Sequence, residues 1–387
     1  MEFFSATGQD RFVFETFFRG RRNGTFLDIG TAAGAEPRNT LFFERLLDWS
    51  GVRVEAPADA PRVTALLEQQ QLRSVDFCSI DLRGIAGGFL HAFDFKHFDI
   101  KVITVSCEAA DEQLPVLMAQ LGYDLVGRLG ADVIFKQRGL KRLPRTTVIC
   151  AVWHGDAERH ELLQEHARNL AAQSVPVELV YVFDGTDQVP ESLPGRKLVA
   201  HENLTIYQAW NVGLSIVETP FVMNLNLDDR LAPDAVERLE DALIQNGAAL
   251  AGGDWKICYS QPQTDAVEPC YPTDRLPFVG AWPPATGTLT RLGSGTGERG
   301  TFGPATLWRL DAHVGAPRFP WRFPDGTRIR VIGDLAWWTV LRNHQKAGMT
   351  RLPLVIGHYH SRPGSQAEFR GPQNEETLMA RLGLSLL

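Results

Sequence analysis

Two acidic residues side by side, Asp228 and Asp229, follow the apolar run Phe221-Val222-Met223 and stand just ahead of Leu231-Ala232-Pro233-Asp234. Adjacent carboxylates at the end of a strand lie where an open α/β sheet exposes its ligand crevice. Their oxygens suit a hard divalent cation, and such a cation is usually shared with phosphates. The same two acids would equally serve as loop residues that cap a helix N-terminus. Asp334, at the head of an aromatic-rich segment, offers a general base or, again, a cap. His358 and His360 alternate along a strand-like run, so period two puts them on one face. A lone histidine is more often structural than a ligand, and two near acids raise the chance only modestly. Asp254, after Gly252-Gly253, suits either a sugar contact or an ion pair with a basic neighbour.

Placing these groups requires a sheet. Residues 221–223 read as a short buried strand. Behind the acids, Val236, Leu239 and Leu243 mark a helix that Asn246-Gly247 stops, with Pro233 in its first turn. Upstream, residues 147–153, ending in Trp153, read as a strand, and Leu162, Leu163, Ala167 and Leu170 as one side of a helix. Residues 178–183 form the next strand, closed by Asp184-Gly185, and residues 197–200 a third. This strand–helix rhythm is that of a Rossmann-like parallel sheet. Residues 249–255 look like a further strand, and 261–291 like an irregular insertion. Gly295-Thr296-Gly297-Glu298-Arg299-Gly300 spells a dinucleotide fingerprint, yet no strand leads into it and Phe302-Gly303-Pro304 interrupts any helix beyond it. A loop or linker is the better reading.

The N-terminal part, residues 1–136, forms a separate α/β unit. Strand 25–30 runs into a turn with Gly30 and Gly34, and strand 52–54 ends in Glu55. Such turns can cradle a nucleoside cofactor, and an acid after the second strand commonly binds ribose hydroxyls. Only residues 56–74 separate Glu55 from the next strand, which leaves room for a single crossover helix. Residues 137–145 carry four bases, a glycine and a proline and read as a basic linker, so residues 146–387 make up the second domain.

With 387 residues the chain is too long for one ordinary core. Its composition, 44% hydrophobic and 22% charged, is that of a soluble globular protein. A net charge of −7 points away from a nucleic-acid partner. Five cysteines without a Cys-x-x-Cys pattern suggest reduced thiols, a cytoplasmic setting and no zinc. No apolar run reaches a membrane span, and the N-terminus lacks a basic leader. Eight of the nine tryptophans lie beyond Arg145, which suits aromatic platforms for sugars, though such rings also fill cores.

Asn211-Val212-Gly213, the strand, Asn226-Leu227-Asp228-Asp229 and Gly333-Asp334 occur in an order that resembles the nucleotide-sugar glycosyltransferases of the GT-A fold, the inverting family 2 group. Asn226 replaces the first acid of that family's Asp-x-Asp-Asp motif. The resemblance implies a nucleotide-diphosphate sugar donor bound by Trp153, Asp184, Asn211, Asp228, Asp254 and Arg362. It implies Mg or Mn held by Asp228 and Asp229, with His360, His358 or no histidine as the third ligand, and Asp334 as the base. Arg362 falls where the family's closing histidine would stand, and its guanidinium suits phosphate oxygens. The implied acceptor is a glycan or lipid-linked glycan, reached by peripheral membrane contact. The N-terminal unit resembles FkbM-type methyltransferases through Gly8-Gln9-Asp10, the turn at residues 28–34, Glu55, Ser79-Ile80-Asp81 and Val102-Ile103-Thr104-Val105. Arg83 and Ala86 replace that family's two glutamates, and the short gap after Glu55 omits a strand. The implication is a degenerate domain that does not bind S-adenosylmethionine and serves packing, homo-oligomerisation or acceptor docking. The expected fold class is therefore α/β, with two Rossmann-like domains: a truncated methyltransferase-like one and a GT-A one.

Overall fold

The computed structural model describes residues 2–30, 38–55, 58–82, 86–107, 112–153, 159–185, 189–275, 305–315, 318–344, 348–360 and 372–384. It divides into two compact units, Met1–Leu143 and Pro144–Leu387. Both are α/β.

The first unit contains α1 (Gln9–Val13), β1 (Thr25–Gly30), α2 (Leu41–Leu47), β2 (Ser50–Glu55), α3 (Ala60–Gln69), β3 (Ser74–Ile80), α4 (Ala86–Ala92), β4 (Asp99–Ser106), α5 (Gln113–Gln120), β5 (Tyr123–Leu129) and β6 (Asp132–Gln137). Its strands order β2-β1-β3-β4-β6-β5. β1 to β4 run parallel, and β6 and β5 close the sheet as antiparallel strands. One helix, α3, crosses from β2 to β3, as the short gap required, and β2 is left at the sheet edge. Asp59 caps α3 by accepting the Arg62 N–H at 2.8 Å, and Pro61 sits in its first turn. Trp49, the one tryptophan of this unit, is buried against Phe18 and Phe43, with ring centroids at 5.1 and 4.7 Å.

The second unit contains β7 (Thr146–Val152), α6 (Arg159–Ala171), β8 (Val177–Phe183), β9 (Arg196–Val199), α7 (Ile206–Leu214), β10 (Phe221–Asn224), β11 (Arg230–Leu231), α8 (Ala235–Asn246), β12 (Leu250–Cys258), α9 (Gln261–Asp265), β13 (Tyr271–Pro272), β14 (Leu307–Arg309), α10 (Gly333–His344), β15 (Met349–His360) and α11 (Pro372–Arg381). The sheet order is β11-β15-β12-β14-β10-β7-β8-β9, with β13 on β15. β10, β7, β8 and β9 are parallel, and β14 is antiparallel to both β10 and β12.

Both faces of this parallel block are buried, so its strands read as unbroken apolar runs. Alternation assigns their side chains to two cores. Val148, Cys150, Val152, Tyr181, Phe183, Phe221 and Met223 pack with Leu163 and Leu170 of α6 and Leu239 and Leu243 of α8. Ile149, Val180, Val182 and Val222 pack on the other face with Trp210 of α7 and Trp337 and Leu341 of α10.

Local chemistry sets the ends of these helices. A capping box opens α7: Thr205 accepts the Gln208 N–H while Gln208 accepts the Thr205 N–H. Gly247, at φ +60°, ends α8 in the left-handed cap that the Asn-Gly signal forecasts. Pro233, expected within the first turn of α8, lies one residue before the cap residue Asp234. Arg145, at the end of the basic 137–145 segment, is buried, 3.7 Å from Glu240 and over the Phe221 ring. Within the stretch expected to be irregular from residue 261 onward, α9 and β13 form instead. Pro262 opens α9, and β13 docks on β15.

Candidate active site

Three adjacent parallel strands, β8, β7 and β10, deliver their carboxyl ends to one edge of the sheet. Val152 of β7 pairs with Phe183 of β8, and Asn224 of β10 with Ile149 of β7. Trp153 and Asp184 are thus the first residues past neighbouring strands, one strand spacing apart, about 4.8 Å. Asp228 comes four residues after β10. Trp153 is 62% exposed, and Asp184 is buried.

The acid pair does not sit directly on the strand end. β10 stops at Asn224, and the chain makes a turn before the two-residue strand β11, which pairs antiparallel with the end of β15 (Arg230 with His358, Leu231 with Gly357). Nothing in the sequence marks β11, because two residues carry no periodicity. This pairing brings His360 to the acids. Its backbone N–H donates to Asp229 Oδ1 at 2.9 Å, while Asn226 Nδ2 donates to Asp229 Oδ2 at 3.1 Å. Gly357 permits the approach: a Cβ there would meet the Arg230 carbonyl and the Trp255 ring, each at 2.5 Å.

Asp228 and Asp229 therefore differ. Asp228 is half-buried, whereas Asp229 is fully buried with each oxygen accepting a hydrogen bond. Burial first, then the Asp228 charge, push the Asp229 carboxyl well above the usual carboxylate range; the His360 N–H, Asn226 and Arg230 oppose them. Asn226 Oδ1 is buried without a hydrogen-bond partner. An orphaned oxygen beside a carboxylate pair is a deficit that a hard cation would fill. Among the described residues, no three His, Cys, Asp or Glu side chains group as a metal site. The donors of the turn itself are the half-buried Asp228 carboxylate and the Asn226 amide oxygen, hard oxygens that suit Mg or Mn.

His358 and His360 share a face, as the alternation required, and both turn to α9. His358 Nδ1 lies 3.1 Å from the carbonyls of Gln263 and Thr264, and burial lowers its pKa. His360 Nδ1 lies 2.7 Å from Gln261 Oε1.

Asp334 stands in the first turn of α10. Its Oδ1 accepts from the Tyr207 hydroxyl of α7 at 3.3 Å and from the Leu335 N–H at 2.9 Å. Gly333 lets α10 lie on α7: a Cβ there would meet the Tyr207 ring at 2.7 Å. The preceding Ile332 is held at φ +69°. A β-branched residue in that region is strained by about 1–3 kcal/mol, and such strain gathers at functional sites.

Two other expected residues are otherwise engaged. Asp254 is fully buried, and both its oxygens accept from Arg351 Nη2, at 2.7 and 2.6 Å. This is the ion-pair alternative read from the sequence. Asn211 clasps the Phe319 backbone, donating to its carbonyl at 2.8 Å and accepting its N–H at 3.1 Å. Gly213, two residues on, lets α7 settle on β7, since a Cβ there would meet Ile149 at 2.5 Å. The Asn-x-Gly signal thus has a packing cause. Arg362, Gly34, Arg83, Gly295–Gly300 and Phe302-Gly303-Pro304 lie outside the described residues.

The first unit arranges its carboxyl edge differently. Asp28 Oδ2 accepts from Thr40 at 2.5 Å, and burial raises its pKa against that hydrogen bond. Gln9 donates to Asp132 at 2.6 Å, and Asn39 bridges Ser79 and Asp132. Gly30, at φ +120°, lies close against Asp81: a Cβ there would meet the Asp81 carbonyl at 2.0 Å.

Fold and site together define an α/β protein with a carboxyl-edge acid pair in its second unit. No protein-family model matches the chain, and no curated protein matches it. It is similar in structure to S. aureus TarS 1-349 in complex with UDP-GlcNAc, at 16% identity and TM-score 0.39, over 62% of this chain and 65% of that one. It is similar to the mannosyltransferase PcManGT from Pyrobaculum calidifontis in complex with GDP-Man and Mn2+, at 14% identity and TM-score 0.40, over 57% and 58%. A third is glucosyl-3-phosphoglycerate synthase from Mycobacterium tuberculosis in complex with Mg2+ and UDP, at 14% identity and TM-score 0.41, over 62% and 80%. The chain spans 60% of the length of TarS 1-349 in another of its structures.

Proposed function

We propose that the second unit is a metal-dependent, inverting glycosyltransferase that moves a sugar from a nucleotide-diphosphate donor to a hydroxyl of a glycan or lipid-linked glycan. The observation that carries this reading is the shared sheet edge: Trp153, Asp184 and the acid pair come after adjacent parallel strands, with an unpartnered buried Asn226 oxygen among the acids. Asp184 would receive the nucleoside, and Trp153 offers an exposed ring face to the donor. Asp228, Asn226 Oδ1 and His360 would hold the Mg or Mn ion. Asp229 acts behind them, bracing His360 and Asn226 through its two occupied oxygens. When bound, the cation would supply positive charge for the departing diphosphate.

In the transfer, the acceptor oxygen attacks the anomeric carbon as the bond from that carbon to the diphosphate oxygen breaks, and the diphosphate keeps the bonding pair. Asp334 takes the hydroxyl proton as the attack proceeds. Tyr207 and the strained Ile332–Gly333 turn fix the direction of its carboxylate. Asp254 and Asn211 are assigned to scaffolding, on account of their buried partners. The first unit is proposed as a non-catalytic, FkbM-like remnant, in which Asp28 is bonded to Thr40, and Gln9, Asn39, Ser79 and Asp132 to one another. Contact with a membrane-linked acceptor would be peripheral. Among the described residues, no helix is long and apolar enough to cross a membrane.

A thermal-shift panel tests the reading. UDP or GDP with Mn2+, at about 100 times its dissociation constant, should stabilise the protein by about 2.7 kcal/mol. Neither Mn2+-free nucleotide nor S-adenosylmethionine should match it. Equal stabilisation with and without metal, or stabilisation by S-adenosylmethionine alone, would sink the proposal.

A further inference from the structure

α9 lies within the stretch that the sequence marks as irregular, and the transfer chemistry makes no use of it. Its two ends nevertheless reach the site. Gln261, at the first position, has its Oε1 2.7 Å from His360 Nδ1, while its Nε2 donates to Asp265 Oδ1 at 3.0 Å and to the Asp228 carbonyl at 3.4 Å. Asp265, at the last position, pairs with Arg230 Nε at 2.7 Å. Arg230 is buried, and its Nη1 donates to the carbonyls of Leu227 and Asp229, at 2.9 and 2.7 Å. One cation thus holds the backbone on both sides of Asp228 and anchors α9.

The chain of donors and acceptors has a direction. The Asp265 carboxylate faces a guanidinium and accepts, and the Asp228 carbonyl can only accept. Both demand the amide NH2 of Gln261, which leaves Oε1 for the histidine. An amide oxygen can only accept, so His360 must carry its ring proton on Nδ1, and the lone pair of the neutral ring falls on Nε2. The His360 backbone is fixed independently by the Asp229 carboxylate.

We infer that Arg230, Asp265 and Gln261 form a positioning relay that sets the tautomer of His360 and presents its Nε2 as the nitrogen ligand of the cation site. The inference deepens the glycosyltransferase reading and rests on it for the identity of the cation, but the tautomer itself does not. A partner that fixes the ring of a metal-binding histidine typically accounts for a 10–100-fold difference in metal affinity. The relay also explains why a short helix far along the chain is tied to the acid turn by three side chains.

The test has two arms on the full chain. Long-range 15N NMR of imidazole-labelled protein without metal should show His360 protonated at Nδ1. Gln261→Leu should lose that pattern and weaken Mn2+ binding, measured with UDP or GDP present, by about 10–100-fold. The swap Gln261→Glu with Asp265→Asn keeps one carboxylate and an acceptor for Nδ1–H, so it should restore both readouts. It also stands in if Gln261→Leu fails to fold. Protonation of His360 at Nε2 in the unaltered protein overturns the relay, as does a Gln261→Leu protein with unchanged tautomer and Mn2+ affinity. Absence of any Mn2+ uptake by the unaltered protein overturns the glycosyltransferase reading, and the tautomer arm then decides the relay alone.

Discussion

The two units present the same kind of sheet edge and furnish it with different partners. In the first, Asp28 is stoppered by Thr40, Asn39 ties Ser79 to Asp132, and Gly30 is pressed against the Asp81 carbonyl. In the second, the buried Asn226 oxygen lacks a partner, Asp229 is held uphill beside Asp228, and Ile332 is strained next to Asp334. Buried polar atoms without a hydrogen-bond partner occur in both units, Arg38 Nε and Thr104 Oγ1 in the first and Asn226 Oδ1 in the second, but among the described residues only the second sets one beside two adjacent carboxylates, a deficit that a cation would fill. The contrast gives a physical reason to seek chemistry in the second unit.

The strongest way to break the comparison is by paired substitution of acids. Asp334→Asn should lower turnover by about 10²–10⁴-fold while Mn2+-dependent nucleotide binding persists. Asp28→Asn should leave turnover unchanged in the same steady-state assay. Comparable losses from both would erase the distinction. Next in size is the core under the second edge. Trp337→Ala should cost about 3–5 kcal/mol in urea unfolding, since that ring is fully buried among Trp308, Phe319 and His313.

Acid should act on His166 of the second unit and Asp28 of the first with opposite sign. Burial, with help from the Arg230 charge, lowers His166 from 6.5 to about 3. Its contribution is full above pH 6.5. Below that only the unfolded chain takes the proton, and about 1.4 kcal/mol is lost per pH unit down to about 3. Burial raises Asp28 above 3.8 in the folded state. Its contribution is full below 3.8 and is lost as pH rises through the raised value, so acid relieves the first unit there. Thermal melts of His166→Phe and Asp28→Asn against pH should flatten these limbs separately. The smallest expected effect sharpens the comparison only locally: Thr205→Ala removes the α7 cap and should cost about 1 kcal/mol, read as a shift in the urea midpoint.

Much of this was legible in the residues. The stop of α8 at Asn246-Gly247 and the buried face of α6 come from local signals and hold in the structure. The single crossover after Glu55 came from counting residues, and the sheet order agrees with it. The parts that escaped were long-range. Asp254 meets an arginine 97 positions away, Gln261 meets a histidine 99 positions away, and β11 exists only because β15 returns beside it. No periodicity encodes such partners. The Asn-x-Gly signal was visible, but its cause, a backbone clasp and a tight helix–strand contact, emerges only when Phe319 and Ile149 are in place.

The uneven placement of indoles has a practical consequence. Trp49 is the first unit's lone tryptophan, and its eight counterparts belong to the second. Excitation of indole fluorescence therefore samples the second unit almost exclusively, and Trp49→Phe would silence the first outright. The difference spectrum between the two proteins would isolate emission from the packed Phe18–Phe43–Trp49 cluster, giving each half of the chain its own optical signal from the same cuvette.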